Sequence, residues 1–211
     1  YMVFDLDPPE NYPFERVISL AFDMKEHVEG YGYQSFTKTT GRKGLHLVVP
    51  LEAKWSFDDV FDAAQKIGQE FVKGRTAKAT LRIRKDSRKE KVLVDVYRNR
   101  PSQTIISAYS VRGASGAPVS TPLRWEDLET VQDPAQLNIQ TVPGRLLGEG
   151  DPWEGMRAEA YSLHTKRPKK AQKRSKEKGE KLESYRSKRE FESTPEPVSG
   201  EVSTSGDAFV I

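Results

Sequence analysis

Cysteine is missing from all 211 residues. Its absence excludes a disulfide framework and any cysteine-based zinc site, and it fits a cytosolic setting. No apolar run approaches the roughly 20 residues that cross a bilayer, and no secretory pattern opens the chain, so no membrane partner is expected. A Walker A loop is also lacking: the glycine-punctuated turn at residues 39–44 has the wrong spacing and runs into an apolar strand, not a helix. Negative charge is scarce in one place only. Residues 166–189 hold 12 Lys/Arg against 3 Glu, a net of +9; with the whole chain at +3, the remainder carries −6. The basic character is therefore a property of the tail.

What is present begins with two aspartates one residue apart, in Val3-Phe4-Asp5-Leu6-Asp7-Pro8-Pro9. Side chains at i and i+2 of a strand share a face, so Asp5 and Asp7 project together while Leu6 points to the core. Two such carboxylates repel unless a cation lies between them, and hard oxygen ligands suit Mg²⁺ or Mn²⁺. Asp95, in Lys91-Val92-Leu93-Val94-Asp95-Val96-Tyr97, is a third acid in a similar setting. Between them lies the run TTGRKGLHLVVPL, residues 39–51. Gly41 and Gly44 let backbone amides crowd around an anion, Thr40 offers a hydroxyl, and Arg42 and Lys43 offer charge. On these residues alone the acids are either solvated strand caps or metal ligands. The turn is likewise an ordinary hairpin or a triphosphate cradle, and His46, opposite in facing to Leu45 and Leu47, is a structural histidine or a nucleotide contact.

Taken together, DLDPP, TTGRKGLHLVVPL, KVLVDVYRN and AYSVRGASGAPVSTPLRWEDL, in that order over about residues 1–155, resemble the polymerase module of bacterial DNA ligase D, an archaeo-eukaryotic primase-type polymerase of end joining. The resemblance implies that Asp5, Asp7 and Asp95 hold two divalent ions, Mg²⁺ or Mn²⁺. Asp5 and Asp7 would bridge both, and Asp95 would complete the site serving the primer 3′-hydroxyl. It implies that Thr40, Lys43 and Gly44 bind the triphosphate of an incoming nucleotide with His46 beside them, and that Arg112 meets phosphate, Val111 replacing the family's leucine. Arg88 is a further candidate for contact with substrate or template. The implied partners are DNA ends, nucleoside triphosphates and the Ku protein; the implied location is the bacterial cytoplasm, at the nucleoid. A non-catalytic DNA-binding module using the tail and the basic stretch 74–90 is the other function class, against which the three intact acids argue. An aspartyl-phosphatase motif is a superficial likeness, since Pro9 stands where that class carries threonine.

Periodicity predicts strands at Met2–Asp7, Tyr33–Lys38, Leu45–Val49, Lys91–Tyr97 and Thr104–Ser107. It predicts helices from Pro13 to Glu29 and from a Ser56 cap to Lys73, the latter with a core stripe of Phe57, Val60, Phe61, Ala64, Ile67 and Phe71. Trp125 and its neighbours read as a closing helix. The fold class expected is α/β (α+β), and the resemblance implies an RRM-like primase-polymerase sheet over residues 1–156. A strand that must be central lies at the very start, so the chain is expected to be an internal piece of a longer protein, with part of the sheet upstream. Residues 157–206 are expected to form a basic, largely disordered linker, because high charge with little apolar content does not offset ordering entropy. The segment from Leu182 to Ile211 resembles the lead-in to the ligase D 3′-phosphoesterase module, with 207–211 as its start.

Overall fold

The computed structural model describes residues 1–166. Its centre is a six-stranded sheet in the order β4-β5-β1-β3-β2-β6. The strands are β1 (Met2–Asp7), β2 (Phe36–Thr39), β3 (Leu45–Val49), β4 (Ala79–Thr80), β5 (Val92–Asp95) and β6 (Pro122–Leu123). All neighbours are antiparallel except β4 and β5. The opening strand is indeed interior, between β3 and β5.

One face of the sheet carries two helices. α1 (Phe14–Glu29) packs on β3, and α2 (Phe57–Lys73) packs on β1. Met2, Phe4 and Leu6 alternate along β1 on the helical side and are fully buried, as period-2 patterning requires. α2 starts where the sequence says it should. Ser56 Oγ accepts the Asp59 N–H and Asp59 Oδ2 accepts the Ser56 N–H, each at 3.1 Å, a reciprocal capping box. Phe57 departs from the expected stripe. It sits in the first turn, 62% exposed, while Val60, Phe61, Ala64, Ile67 and Phe71 are buried. Trp125 heads a one-turn helix, α4 (Trp125–Leu128), tilts against Phe22 of α1 and donates its indole N–H to the Ser35 carbonyl at 2.8 Å.

The other face is divided. Val3, Val48 and Met156 form a small buried cluster with Phe36 and Trp153 packed on it, and the Trp153 indole donates to Thr37 O at 3.0 Å. On the same face, further along the strands, stand Asp5, His46 and Lys38, which neither helix covers.

Several elements differ from the sequence expectation. β2 begins at Phe36 rather than Tyr33. Gly32 turns there with φ 86°, and the Tyr33 hydroxyl is spent on the His164 carbonyl at 2.7 Å. β5 stops at Asp95 because the Asp95 carboxylate accepts the Tyr97 N–H at 2.8 Å, turning the chain into a 3-10 turn at Tyr97–Asn99. Residues 104–107 form no strand; their backbone bonds outward, as when Thr104 O accepts from Arg98 Nη1 at 3.3 Å. β4, β6, α3 (Lys85–Arg88) and α5 (Val142–Glu149) were not expected. Arg157 to His164, expected to begin the linker, instead lie on the fold. Tyr161 exchanges backbone hydrogen bonds with Pro50 and Glu52 at 3.0 Å, and His164 stacks on Tyr33 with centroids 4.5 Å apart. The remaining linker and the phosphoesterase-like segment fall outside the described residues.

Asn99 holds the start of β1. It is 4% exposed; its Oδ1 accepts the Val3 N–H at 2.7 Å, and its Nδ2 donates to Val3 O and Val96 O at 2.8 Å. β5 pairs with β1 only from Asp5 to Asp7, so Asn99 supplies the edge bonds that β5 does not reach. Asn99→Leu should strand these buried polar groups and lower stability by about 2–4 kcal/mol in urea unfolding. A change below half a kcal/mol would show that water replaces the clamp.

Candidate metal and nucleotide site

Strand register assembles the site. Asp5 lies opposite His46 of β3 and opposite Asp95 of β5, and His46 in turn lies opposite Lys38 of β2. Directly opposed residues of an antiparallel pair share a face. The result is a row across four strands: Asp95, Asp5, His46, Lys38. Asp7 follows Asp5 on the same face, at the strand end.

This row borders a cleft of about 950 Å³. Asp5, Asp7, His46, Thr40, Lys43, Gly44, Arg112 and Arg88 all line it, so the structure brings these sequence candidates together. Asp95 is the exception. It adjoins Asp5 in register, but Arg98, not Asp95, forms the cleft wall there.

Two arginines balance the acids. Arg98 Nε lies 3.3 Å from both Asp5 Oδ2 and Asp95 Oδ2. Arg88 Nη1 lies 2.9 Å from Asp7 Oδ2, while its Nη2 donates to Ile83 O at 2.6 Å. Burial pushes the Asp5 carboxyl up, but the contacts of His46 (Nε2 to Oδ1, 3.4 Å) and Arg98 outweigh it and hold it below its ordinary value. Asp95 is pushed up, by burial first and then by the charges of Asp5 and Asp7, against the Tyr97 amide and Arg98. Burial also holds the His46 imidazole down, helped by Lys38 and Arg98 and opposed by Asp5, so it is neutral near pH 7. Its Nδ1 is buried without a partner.

The fit to divalent ions follows from these observations. The donors are hard oxygens, and Asp95 registers the charges of both other acids, as carboxylates sharing one electrostatic space do. In this arrangement Arg88 and Arg98 take the cation's part, and among the described residues no three His, Asp or Glu side chains stand arranged around one ion position. The residue types and strand placement fit the ions; the side chains are turned to the arginines.

The turn beside the row is tightly built. Thr40 N donates to Gly44 O at 3.0 Å, and Thr40 Oγ1 accepts the Gly44 N–H at 3.3 Å, so the hydroxyl closes the turn. Gly41 has φ +68°, and a Cβ there would lie 2.6 Å from Arg112 Cγ; a Cβ on Gly44 would lie 2.7 Å from Leu6 O. Both glycines are thus required by close approach. Lys43 is exposed, 3.6 Å from Glu10.

Lys38 and Arg98 were missed in sequence. Arg98 sits one 3-10 turn after Asp95, and Lys38 mirrors His46 across the hairpin; pairing the two arms outward from the glycine turn would have exposed it. Lys38 is 2% exposed, and burial pulls its ammonium down to about 8, against the attraction of Asp5.

The family model of the LigD primase-polymerase domain matches residues 1–153. The Multifunctional non-homologous end joining protein LigD of Pseudomonas aeruginosa is 36% identical over 153 residues, covering 72% of this chain and 18% of that protein. The Multifunctional non-homologous end joining DNA repair protein LigD of Mycobacterium tuberculosis is 31% identical over 214 residues, covering 100% of this chain and 26% of that protein. In structure, the polymerase domain from M. tuberculosis Ligase D, solved in complex with DNA, matches with a TM-score of 0.68 and 33% identity, over 76% of this chain and 55% of that one. The mixed α/β sheet is that of the LigD polymerase domain. The chain belongs to the LigD primase-polymerase family. It spans about a fifth to a quarter of the length of these two curated relatives.

Two outcomes are expected. Gly44→Ala must displace the Leu6 carbonyl, between the two acids of β1, and should cost about 1–3 kcal/mol in urea unfolding; Gly113→Ala, whose Cβ would meet nothing within 4 Å, should be neutral. Lys38 binds its proton less tightly folded than unfolded. Stability should therefore gain from this residue as pH rises from about 8 towards its ordinary value of 10.5. Unfolding curves of Lys38→Met at pH 7.5 and 10 should show less of that gain than wild type; an identical pH response would place the ammonium in water.

Proposed function

We propose that this chain carries the catalytic face of a primase-type polymerase that adds nucleotides to the 3′ ends of broken DNA in non-homologous end joining. The observation that carries the reading is the juxtaposition of Asp5 and Asp95 on neighbouring strands, with Asp7 one step on, at a cleft whose far wall is a cationic glycine turn. Family membership over residues 1–153 and the likeness to a polymerase domain solved with DNA support it. Residues 1–164 would be the polymerase region, with the basic segment that follows as a linker towards a phosphoesterase module.

In this reading Asp5, Asp7 and Asp95 hold Mg²⁺ or Mn²⁺. The bound ions would supply a lowered pKa at the primer 3′-hydroxyl and charge neutralisation for the leaving pyrophosphate. The chain's own cations do the rest. Arg112 and Lys43 meet the triphosphate oxygens, the guanidinium able to take two at once. The amides of residues 41–43 would add positive dipole at the same phosphates, while the Gly44 N–H closes the turn on Thr40 Oγ1. His46, beside the turn, steadies Asp5 through Nε2. Arg88 and Arg98 balance the acids where no ion is bound, and would give way to the ions on loading. Lys85, Arg88 and Lys89 of the basic segment 74–90 border the cleft where a DNA backbone would approach. The proposal extends to nucleoside triphosphates as substrates, to the Ku protein as the partner at DNA ends, and to the nucleoid in the bacterial cytoplasm as the place of work.

Asp7→Ala tests it in the full protein. Primer extension with Mg²⁺ or Mn²⁺ should fall to background, while DNA binding by gel shift stays within about twofold, because a carboxylate adds nothing to backbone affinity. Extension at the wild-type rate would overturn the metal assignment. Absent extension by wild type, with DNA binding intact, would favour a non-catalytic end-binding module.

A further inference from the structure

We propose that Lys38 is a positioning residue for the incoming nucleotide: from beneath the glycine turn, its buried ammonium fastens the Arg112 segment onto that turn through Ser120. The inference rests on the reading of residues 40–44 as a triphosphate cradle, and it adds a residue that does not itself meet the substrate.

Lysine is seldom fully buried, and then normally against a carboxylate. Lys38 is 2% exposed, yet its hydrogen bonds go to neutral oxygens: Ser120 Oγ at 2.6 Å and Thr39 O at 3.4 Å. Ser120 is where the Arg112 segment is tied down. Its Oγ donates to Thr39 O at 2.9 Å, its N–H donates to Ser110 O at 2.9 Å, and its carbonyl accepts from Tyr109 N at 2.7 Å. Arg112 N bonds Pro118 O at 2.8 Å in the same small hairpin. The hairpin touches the turn directly, since a Cβ on Gly41 would lie 2.6 Å from Arg112 Cγ and 3.1 Å from Ser120 N. Lys38 therefore stands at the joint between the two pieces that would grip phosphate.

The charges around it point the same way. Asp5 on β1 attracts the ammonium, while Arg112 on the hairpin repels it. Lys38 and Arg98 together disfavour a charged His46 on β3. Holding two cations near each other, with one of them out of water, is unfavourable until an anion arrives. A nucleoside triphosphate on the turn supplies that anion. Lys38 would then act twice, as tether for Arg112 and as a charge beneath the phosphates that needs no rearrangement on binding.

The experiment is calorimetric titration of the full protein with ATP in Mg²⁺ buffer, together with the KM and kcat of primer extension, for wild type, Lys38→Met, Lys38→Arg and Ser120→Ala. Lys38→Met should raise the ATP Kd and KM roughly ten- to hundredfold, the size of a hydrogen bond to a charged group, with kcat changed less than about threefold. Lys38→Arg should not restore affinity, because a planar guanidinium does not enter a slot shaped for a point charge. Ser120→Ala keeps the ammonium and removes the tether, and should raise Kd about tenfold, the low end for a hydrogen bond to a charged group. Should Lys38→Met fail to fold, Ser120→Ala decides alone. Wild-type affinity in both variants, or a loss confined to kcat, overturns the inference and leaves the cradle standing. Failure of wild type to bind ATP overturns the cradle itself.

Discussion

The register of one strand governs the cleft. β1 runs antiparallel between β3 and β5, and Asp5 therefore has Asp95 on one side and His46 on the other. A slip of one residue would turn both acids of β1 into the helical core and Leu6 into the cleft. The register is fixed from two directions. Met2, Phe4 and Leu6 are buried against the helices, and Asn99 clamps Val3 by both its amide and its carbonyl. The apolar half of the pattern thus fixes the position of the polar half.

Placing several carboxylates in a partly buried row is unfavourable unless cations accompany them. The fold answers with two arginines from different elements. Arg98 comes from the turn that ends β5, and Arg88 comes from the short helix α3, its guanidinium held by the Ile83 carbonyl. The division of the open face matters equally. Trp153 and Met156 seal the end near Val3 and Val48, and the cleft occupies the other end, where His46 and Lys38 extend the row towards the turn. Asp95 and Asp5 thereby stand at one end of a line across the sheet and Lys38 at the other. In the proposed reaction the 3′-hydroxyl would form its bond to phosphorus from one side as pyrophosphate leaves from the other.

Much of this was legible in the sequence, for physical reasons that can be named. The Asp5/Asp7 pair shows itself because period-2 alternation fixes facing within a strand. α2 shows itself because a Ser56/Asp59 box followed by helical spacing is a local signal. Asp95 needed the family resemblance, since which strand lies beside β1 is a non-local fact. What stayed hidden was equally instructive. Lys38 reads as an exposed strand lysine until the hairpin is paired and His46 is found opposite it. Arg98 reads as one of many basic residues until the 3-10 turn brings it back over Asp95. The strand expected at Thr104–Ser107 fails because β-branched composition measures fit to a half-buried surface, and Ile105 is 41% exposed at the cleft edge. Tyr161 and His164 were grouped with the lysine-rich tail by composition, although each finds an aromatic partner in Tyr33.

Shared ion binding by Asp5, Asp7 and Asp95 is the claim on which the polymerase reading stands. Mn²⁺ titration of the protein, followed by loss of the free-ion paramagnetic resonance signal, measures it without any need for turnover. Saturable uptake by wild type that Asp5→Asn abolishes is the predicted result, because Asp5 is the acid adjoining both others. Equal uptake by Asp5→Asn, or none by wild type, would contradict it and leave the acids as structural partners of Arg88 and Arg98.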